Sequence, residues 1–585
     1  MKPKNKIASF FYALFVADHH SSFIGKIEET VKRMKNSEKI FFYLVSLVSV
    51  VTGIMLLFQL NNSFLVEVPS FGGTFTEGLI GSPRFINPIL AISDTDKDLS
   101  TLIYSGLLKA SEKGGFDLDL ADSYEIKDGG TVYDFVIKNN AYFHDGKKVT
   151  ADDVVFTIKK VLDPVIKSPK KTNWEGVLVE KVSEKEIRFT LGKPYAPFLS
   201  ALTLGILPKH IWENASSEEF PFSQFNIDPV GSGPYKVEKI SRNSGGIPTT
   251  INLSAWKKYT LGQPKIKSIV LKFFQNETEL AKAYDEETLE SASGLSPVMT
   301  KKMNVNGNLV DGISLPRVFG VFLNQNTAPV FLNKEIREAL DVAAPKKRIV
   351  DEVLYGFGVS LDGPTPNNTE EDAGRSVGNA EEAKASLLNL GWKENKDGIL
   401  EKKTKAGTVL FSFSISTSDA PELKRTAEIL QEAWRKIGAD VSIKVFEAGD
   451  LSQNIIKERK YDALLFGEVV GAESDLYPFW HSKERNDPGL NVSLYANITV
   501  DKMLEEIQKE TDEQNKTLKK EIVISEIKKD VPAVFLFSPN LLYIKSPKVK
   551  NITLKNISFQ SERFLFVNKW FIETDKVWEF FNKNS

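Results

Sequence analysis

The chain lacks cysteine entirely and has only five histidines among its 585 residues. Without cysteine, disulfide bonds, thiolate metal sites, thiol nucleophiles and a lipid-modified N-terminal cysteine are all excluded. A zinc site needs three or four converging ligands, and the histidines after residue 60 include no pair at ligand spacing. The five are His19, His20, His144, His210 and His481. We therefore predict no metal site.

The chain also lacks a strong charge of either sign. It has 75 basic and 77 acidic side chains, which give a net charge of −2. Of these side chains, 67 basic and 73 acidic ones follow residue 60. Nucleic-acid binding needs a basic footprint to meet the phosphates, so this mildly acidic body argues against a nucleic acid as partner. The 42% hydrophobic and 26% charged residues are ordinary for a folded protein.

Catalytic motifs are missing as well. Gly231-Ser-Gly-Pro-Tyr235 is preceded by Val230, where a nucleophile elbow needs glycine. Gly356-Phe-Gly358 is followed by Leu361, where a dinucleotide loop needs its third glycine. Carboxylates such as Glu468 are plentiful, but an acid–base pair is defined by the separation and pKa of two groups in a cleft, which a sequence does not give. We therefore predict a protein that is not an enzyme.

One long apolar run is present. Ile40 to Phe58 (IFFYLVSLVSVVTGIMLLF) has 19 uncharged residues, close to the roughly 20 that a membrane-spanning helix needs. Eight Lys and Arg precede it and no charge follows until Glu67, so the positive-inside rule places residues 1–39 in the cytoplasm and everything after the 40–60 anchor outside. A cleavable signal peptide is the alternative, but its apolar part is usually about 7–15 residues long with a small-residue cleavage site behind it. Residues 7–17 are too short to span and are expected to lie in the membrane interface or against a partner.

The stretch Phe143 to Lys160 (FHDGKKVTADDVVFTIKK) raises the possibility of a metal or acid–base site, but local structure accounts for its polar residues. Thr150-Ala-Asp-Asp153 is typical of a capping box, in which the acids meet the positive end of the helix dipole. Apolar residues then recur at helical spacing until Asp163-Pro164 ends the helix. We therefore predict a structural role for these carboxylates and for His144.

The order of predicted elements changes along the chain. Thr131 to Ile137 predicts a strand, and residues 176–191 predict a hairpin. From about 315 to 530, amphipathic helices alternate with strands, which predicts an α/β layer with crossover connections. Ser241 to Thr250 (SRNSGGIPTT) predicts an exposed loop.

Several segments, taken in order, resemble the family 5 extracellular solute-binding proteins, the oligopeptide- and dipeptide-binding receptors of ABC importers. The resemblance covers roughly residues 71–545. The segments that carry it are Asn87-Pro88, Tyr104-Ser-Gly-Leu107, Leu120-Ala-Asp-Ser123, Phe143-His-Asp-Gly146 with Val149-Thr-Ala-Asp-Asp-Val154, Asp228-Pro-Val-Gly-Ser-Gly-Pro-Tyr235, Val321-Phe-Leu-Asn324, Ile336-Arg-Glu-Ala-Leu340, Ala383 to Trp392, Ile437 to Val441 and Tyr461-Asp-Ala463.

The resemblance implies an α/β, two-lobed fold of the periplasmic-binding-protein type (class II). An extra α+β domain would be inserted in the first lobe, and one transmembrane helix would precede the fold. Lobe I would take residues 68–108, 206–312 and 531–585, the inserted domain 109–205, and lobe II 313–530. The ligand would be enclosed between the lobes.

The resemblance also implies where a ligand would bind. Peptide receptors of this family hold extended main chains in wet pockets, which needs strand edges and water. Relatives place an aspartate that pairs with the peptide's amine after the strand Tyr461 to Phe466, and here that position holds Gly471. A buried ammonium without a carboxylate is costly, so we expect Glu468 or Glu473 to replace it. The other candidate ligand-binding residues are Asn87, Tyr104, Tyr235, Asn324, Asp475, Tyr477 and Trp480. For Tyr477 and Trp480 a place in the core is the stronger alternative.

Together these features predict a membrane-anchored receptor of the prokaryotic cell membrane that captures peptides outside, delivers them to ABC permease subunits and needs no cofactor. One alternative is a sensor or adhesion module that contacts a signalling partner. Another keeps the fold with a different ligand, such as a nickel chelate, haem or an oligosaccharide, because fold does not fix the ligand.

Overall fold

The computed structural model describes residues 29–195, 197–303, 307–310, 312–366, 377–404, 407–471, 475–510, 512–555 and 557–581. They form two compact units. The smaller unit combines the chain up to Pro69 with the chain from Thr574, and the larger unit is Ser70–Glu573.

The smaller unit contains the apolar helix and one pair of strands. The helix covers Asn36–Ser63 and has no buried residue. Its length and composition are sufficient for a membrane span, which confirms the long apolar helix predicted over Ile40 to Phe58. Leu65–Pro69 follows the helix and pairs antiparallel with Thr574–Trp578. The predicted interfacial segment 7–17 lies outside the described residues.

The first of two large sheets in the larger unit has seven strands. In spatial order they are Leu309–Val310, Tyr543–Ile544, Ser291–Ser293, Gly72–Ile80, Ile266–Phe274, Pro248–Ala255 and Tyr235–Arg242. Gly72–Ile80 is parallel to both of its neighbours, so the carboxyl ends of these three strands share one edge of the sheet.

The second sheet has six strands and a core on each face. In spatial order the strands are Gly358–Ser360, Ala533–Pro539, Arg317–Leu323, Ala463–Val469, Ser412–Ser418 and Asp440–Phe446. Successive side chains of a strand point to opposite faces. Along Arg317–Leu323, Val321 and Leu323 enter one core, whereas Val318 and Phe322 enter the other. Because both faces are covered, this sheet is the predicted α/β layer.

Helices cover the sheets with amphipathic faces. In Pro421–Lys436 the buried residues include Leu423, Ala427, Leu430 and Trp434, which recur every three or four positions. The described α-helices of eight residues or more are Asn36–Ser63, Asp94–Ile103, Ala151–Leu162, Glu277–Asp285, Lys334–Ala343, Lys346–Val353, Ala380–Asn389, Pro421–Lys436, Ile498–Ile507 and Glu513–Asp530.

A separate four-stranded antiparallel sheet is formed by residues that follow Gly72–Ile80 along the chain and precede Tyr235–Arg242. Its strands, in spatial order, are Ala121–Lys127, Val132–Ile137, Glu186–Leu191 and Val177–Lys181. The last two form the predicted hairpin. The smaller sheets pair Leu108–Ala110 with Phe116–Leu118, and Leu400–Thr404 with both Lys393–Glu394 and Gly407–Leu410.

The predicted capping box is present in this region. The helix Ala151–Leu162 begins after Thr150, whose backbone N–H donates to the Asp153 carboxylate at 2.9 Å. The same carboxylate accepts the backbone N–H of Lys209 through its other oxygen at 2.8 Å. Asp153 therefore serves the fold, as predicted, whereas Asp152 forms an ion pair with Lys181 at 2.5 Å.

One sequence prediction was confirmed only in part, because an exposed connection is present but is shorter than expected. Residues 241–250 were expected to form a loop, but Tyr235–Arg242 and Pro248–Ala255 pair as adjacent antiparallel strands. The loop is reduced to residues 243–247, where Asn243 accepts the backbone N–H groups of Gly245 and Ile247. Gly245 and Gly246 lie in this tight turn, and Pro248 begins the next strand. The turn is short because the residues on either side of it pair with each other in the sheet.

The described strands of the two large sheets are joined by the chain twice. One connection leaves Val310 and reaches Arg317, and the other leaves Pro539 and reaches Tyr543. The connections run side by side: Leu315 N–H donates to the Pro539 carbonyl at 2.9 Å and Leu541 N–H to the Ile313 carbonyl at 2.8 Å. Two paired segments between two sheets have the form of a hinge.

Candidate functional site

The carboxyl ends of the parallel strands lie next to this hinge in both sheets. In the first sheet, Ile80 and Ser293 end parallel strands. In the second sheet, Ser418 and Val469 end parallel strands. Val469 pairs with Arg317, the first residue of the strand that follows the hinge. In α/β sheets, ligands bind outside the carboxyl ends of the strands. The hinge therefore brings two binding edges together.

A cavity of about 250 Å³ opens at the edge of the first sheet. Its lining includes Gly81 and Ser82 after one strand, Gly294 after another, and Ser93 and Asp94 at the start of the helix Asp94–Ile103. The helix is capped by Ser93, whose hydroxyl accepts the Asp96 N–H at 3.1 Å. The cavity thus joins strand ends to a helix N-terminus, with small polar side chains and backbone facing the space.

The first turn of that helix also holds the loop in front of it. The Asp96 carboxylate accepts the backbone N–H groups of Arg84 and Phe85 at 2.8 and 2.9 Å. The Thr95 hydroxyl donates to the Ile80 carbonyl at 2.9 Å. These bonds fix the loop between strand and helix, so the cavity wall is preorganised.

A buried ionic cluster lies beneath the cavity. Arg563 donates to the Glu77 carboxylate at 2.5 Å and to the Asp98 carboxylate at 2.7 Å, and all three side chains are at most 1% exposed. The Tyr543 hydroxyl donates to Glu77 at 3.1 Å. Burial raises the pKa of Glu77 and of Asp98 against the lowering effect of Arg563. Two buried carboxyls thus share one guanidinium next to the cavity, which Asp98 also lines.

Glu468 supplies a buried carboxyl at the edge of the second sheet. It is the residue before the last in Ala463–Val469 and is 5% exposed. Burial raises its pKa well above the ordinary value, and Arg459 offsets this only in part. No hydrogen bond or ion pair of this side chain occurs with the described residues. Burial of this kind favours the uncharged form of the carboxyl.

The acidic turn after Glu468 is only partly described. Glu473 lies outside the described residues. The Asp475 carboxylate accepts the Tyr477 N–H at 3.1 Å, and the Tyr477 ring stacks on His481 at 4.3 Å. Trp480 is 1% exposed and packs within 6.3 Å of Phe322, Tyr495 and Phe535 by ring centroids, so its ring belongs to the core.

Two of the predicted ligand-binding residues lie at the edges of their sheets that are opposite the strand ends described above. Asn324 follows Arg317–Leu323, which runs antiparallel to Ala463–Val469. It therefore lies at the edge of the sheet away from Glu468. Its amide donates to the Arg459 carbonyl at 3.1 Å. Tyr235 begins a strand at the amino edge of the first sheet, and its hydroxyl donates to the Ile266 carbonyl at 2.9 Å. Strand direction, which the sequence did not reveal, separates both from the cavity edge.

Two further predicted residues are buried in the core region of the larger unit. Asn87 is 0% exposed; its amide donates to Asn226 at 3.0 Å, and its oxygen accepts the Ile89 N–H at 3.1 Å. Tyr104 is 5% exposed and follows the far end of the helix Asp94–Ile103. Ligand contact therefore stays a prediction for the residues selected from the sequence. Glu468 lies at the second edge, next to the last residue of Ala463–Val469.

The cavity residues Ser82, Ser93 and Asp94 were not selected from the sequence. A signal was present, because Ser93-Asp-Thr-Asp96 combines a capping residue with acids, as expected at a helix start after a strand. In the described part of the chain, no group of three or more His, Asp or Glu side chains is arranged to hold a metal ion.

His144 joins two of the sequence segments that carried the family resemblance. Its Nε2 lies 3.1 Å from the Gly233 carbonyl oxygen, and its Nδ1 accepts the Gly231 N–H at 3.3 Å. Burial lowers the pKa of His144 to about 4, although the bond to Gly233 acts in the opposite direction. The neutral ring therefore locks Phe143-His-Asp-Gly146 onto Gly231-Ser-Gly233, which is a structural role.

The fold and the facing strand ends define an α/β protein of the periplasmic-binding type. Residues 116–487 match the bacterial extracellular solute-binding proteins, family 5 (middle region). This match covers more than half of the chain, so the protein belongs to that family.

Known relatives agree with this assignment. The oligopeptide-binding protein AppA of Bacillus subtilis is 29% identical over 519 residues, which are 86% of this chain and 92% of AppA. The structure of AppA with a nonapeptide has a TM-score of 0.66 at 28% identity and covers 86% of this chain and 100% of that one.

Two more distant structures share the fold. NikZ from Campylobacter jejuni, in complex with Ni(L-His), has a TM-score of 0.64 at 24% identity and covers 85% of this chain and 99% of that one. MoaA from A. tumefaciens R10, in complex with mannopinic acid, has a TM-score of 0.62 at 21% identity, with coverage of 86% and 99%.

Proposed function

We propose that this protein is a membrane-anchored, extracytoplasmic substrate-binding protein that captures peptides between two hinged lobes and delivers them to an ABC transporter permease. The observation that carries the proposal is the paired hinge, which sets the carboxyl edges of two sheets side by side. A ligand that touches both edges would stabilise the closed arrangement by its differential affinity for it.

The proposed lobes follow the bounds given by the resemblance. Lobe I takes residues 68–108, 206–312 and 531–585, with the inserted domain at 109–205, and lobe II takes 313–530. The electrostatic effect of two acidic residues of lobe II on Tyr195 supports an approach of the inserted domain to lobe II. Burial, followed by the charges of Asp475 and Glu484, raises the pKa of Tyr195 to about 12.

Peptides are the proposed ligand class because the relative with 29% identity is an oligopeptide-binding protein. Strand ends and a helix N-terminus offer backbone groups that suit a peptide main chain. The Glu468 carboxyl, buried without an ionic partner among the described residues, is the proposed acceptor for a cationic group of the peptide. When an ammonium enters, ionisation of Glu468 becomes favourable because the opposite charge lowers its pKa.

The anchor is proposed from the helix Asn36–Ser63. It has no buried residue in the described structure, and its apolar run of 19 residues matches the hydrocarbon thickness of a bilayer. Basic residues before the run place the N-terminus in the cytoplasm and the binding lobes outside.

A non-peptide ligand is the second candidate. Gly471 stands where peptide receptors of this family place an aspartate for the amine, and structures with the same fold hold Ni(L-His) and mannopinic acid. Both candidates share the hinge and the anchor and differ only in the ligand.

Native mass spectrometry of the full-length protein, extracted from its own membrane in mild detergent, separates them. We expect additional masses equal to short peptides, which fragmentation would sequence. Copurifying permease subunits would support delivery. A bound chelate or opine would support the second candidate instead of the first. Cleavage of added peptides by the protein would contradict both.

A further inference from the structure

The outer end of the apolar helix is joined to the carboxyl-terminal strand. Trp578 Nε1–H donates to the Asn61 side-chain oxygen at 2.9 Å, and the rings of Phe64 and Trp578 lie 6.5 Å apart. The Glu579 N–H donates to the Phe64 carbonyl at 3.1 Å. The end of the helix and the carboxyl-terminal strand therefore contact each other where the helix stops.

The direction of the strand pair sets which end of this strand is near the helix. Leu65 pairs with Trp578, and Pro69 pairs with Thr574. Leu65–Pro69 leads away from the helix, so its antiparallel partner returns toward it. Residues 578–581 are thus the part of the carboxyl-terminal segment nearest the apolar run.

The depth of this segment follows from helix geometry. The apolar run ends at Phe58, and Asn61 is three residues further along. At about 1.5 Å per residue this is roughly 5 Å beyond the hydrocarbon edge, within the polar interfacial layer, which is about 5–7 Å thick on each side of a bilayer. Trp578, bonded to Asn61, shares this level.

The side chains at this level have the character of an interfacial belt. Phe64 is 53% exposed, Trp578 49% and Phe580 91%. Trp578 has its indole N–H satisfied by Asn61 while half of its ring remains open. Aromatic rings with a polar tip are enriched at membrane interfaces because one end is apolar and the other is hydrated.

We infer that Phe64, Trp578 and Phe580 form a second membrane contact, which inserts into the outer interfacial layer of the lipid bilayer beside the anchor. The inference rests on the anchoring proposed above. It means that the strand Thr574–Trp578 is held at the membrane as well as the helix, so the attachment is a three-element unit of helix, strand and strand.

Single-cysteine spin labelling tests the inference, because the chain has no native cysteine. We propose Phe580→Cys as the probe, Asp575→Cys on the same strand as the matched control, and Val50→Cys in the apolar run as the reference for the anchor. Each full-length variant is spin-labelled in liposomes of neutral and anionic phospholipid. Power saturation then measures how accessible each spin label is to oxygen, which partitions into lipid, and to a water-soluble nickel complex. The two accessibilities are compared for each label.

We expect the oxygen-to-nickel accessibility ratio to be severalfold higher at 580 than at 575, and lower than at 50. A ratio at 580 equal to that at 575, with position 50 still protected from nickel, would overturn the inference and leave the anchor in place. Full nickel access at position 50 would overturn the anchor itself and, with it, this second contact. Because 575 and 580 are both exposed in the folded unit, labels there should leave folding intact.

Discussion

His144 Nε2 lies 3.1 Å from the carbonyl oxygen of Gly233. Because that carbonyl only accepts and the Gly231 N–H only donates, the ring must be neutral with its proton on Nε2. Protonation of Nδ1 would place two donors face to face. A short glycine-rich element and a histidine loop are thereby held together by one uncharged ring.

The first prediction concerns the pH dependence of this contact. Because burial lowers the pKa of His144 from 6.5 to about 4, the unfolded chain binds the proton more readily than the folded protein between these values. The stabilisation is complete above pH 6.5 and is lost as the pH falls through about 4, by up to about 3 kcal/mol. Denaturant unfolding of the wild type and of His144→Gln from pH 7.5 to 4 measures it. We expect a flatter pH profile for the variant; parallel profiles would contradict a neutral buried ring.

The second prediction concerns Gly231. A Cβ there would lie 2.0 Å from the Ile103 carbonyl oxygen, which is backbone and cannot rotate away. We expect Gly231→Ala to lower the free energy of unfolding by about 1–3 kcal/mol or more through overpacking. Gly192→Ala is the control, because a Cβ there meets nothing within 4 Å. Equal stability of the two variants would show that the glycine element is not packed as described.

The third prediction concerns the buried cluster under the cavity. Arg563→Met leaves Glu77 and Asp98 buried without their cation, so we expect a loss of about 3–5 kcal/mol in the free energy of unfolding. Arg348→Met is the matched control, since Arg348 also bonds two carboxylates, at 2.6 and 2.9 Å, but its side chain is 37% exposed. A loss below about 1 kcal/mol is expected there. Similar losses in chemical denaturation of both variants would contradict the burial of the Arg563 cluster.

The fourth prediction concerns Glu468. Since burial raises its pKa, the folded protein holds this proton more tightly than the unfolded chain, and stability is lost as the pH rises through the folded pKa. Glu468→Gln, which has no proton to lose, should therefore be more stable than the wild type at neutral and alkaline pH, by thermal unfolding.

The same variant tests the proposed ligand contact. If Glu468 accepts a cationic peptide group, Glu468→Gln should weaken peptide binding by about 10- to 100-fold, the value of a hydrogen bond to a charged group. Isothermal titration with peptides recovered from the protein measures this loss. Glu458→Gln, a change at an acid that precedes the same strand and whose side chain is 53% exposed, should change neither the stability nor the peptide affinity. Higher stability with unchanged affinity would remove Glu468 from the binding site.

Local patterns in the sequence were sufficient for individual elements. The capping box at Thr150, the helix Ala151–Leu162 and the hairpin of Val177–Lys181 with Glu186–Leu191 all depend on contacts within about 20 residues. The loop predicted over 241–250 was too long, because composition reports turn residues, whereas the bounds of paired strands depend on a partner such as Ile266–Phe274 further along the chain.

The sequence by itself determined the apolar helix, the α/β alternation and the family, because each depends on residue order along the chain. The tertiary structure alone decided the position of the site. Strand direction moved Asn324 and Tyr235 to the far edges of their sheets, and contacts across 465 and 486 residues brought Arg563 to Asp98 and Glu77. A binding edge is made where distant strands end together, so its residues can be recognised only when the chain is folded.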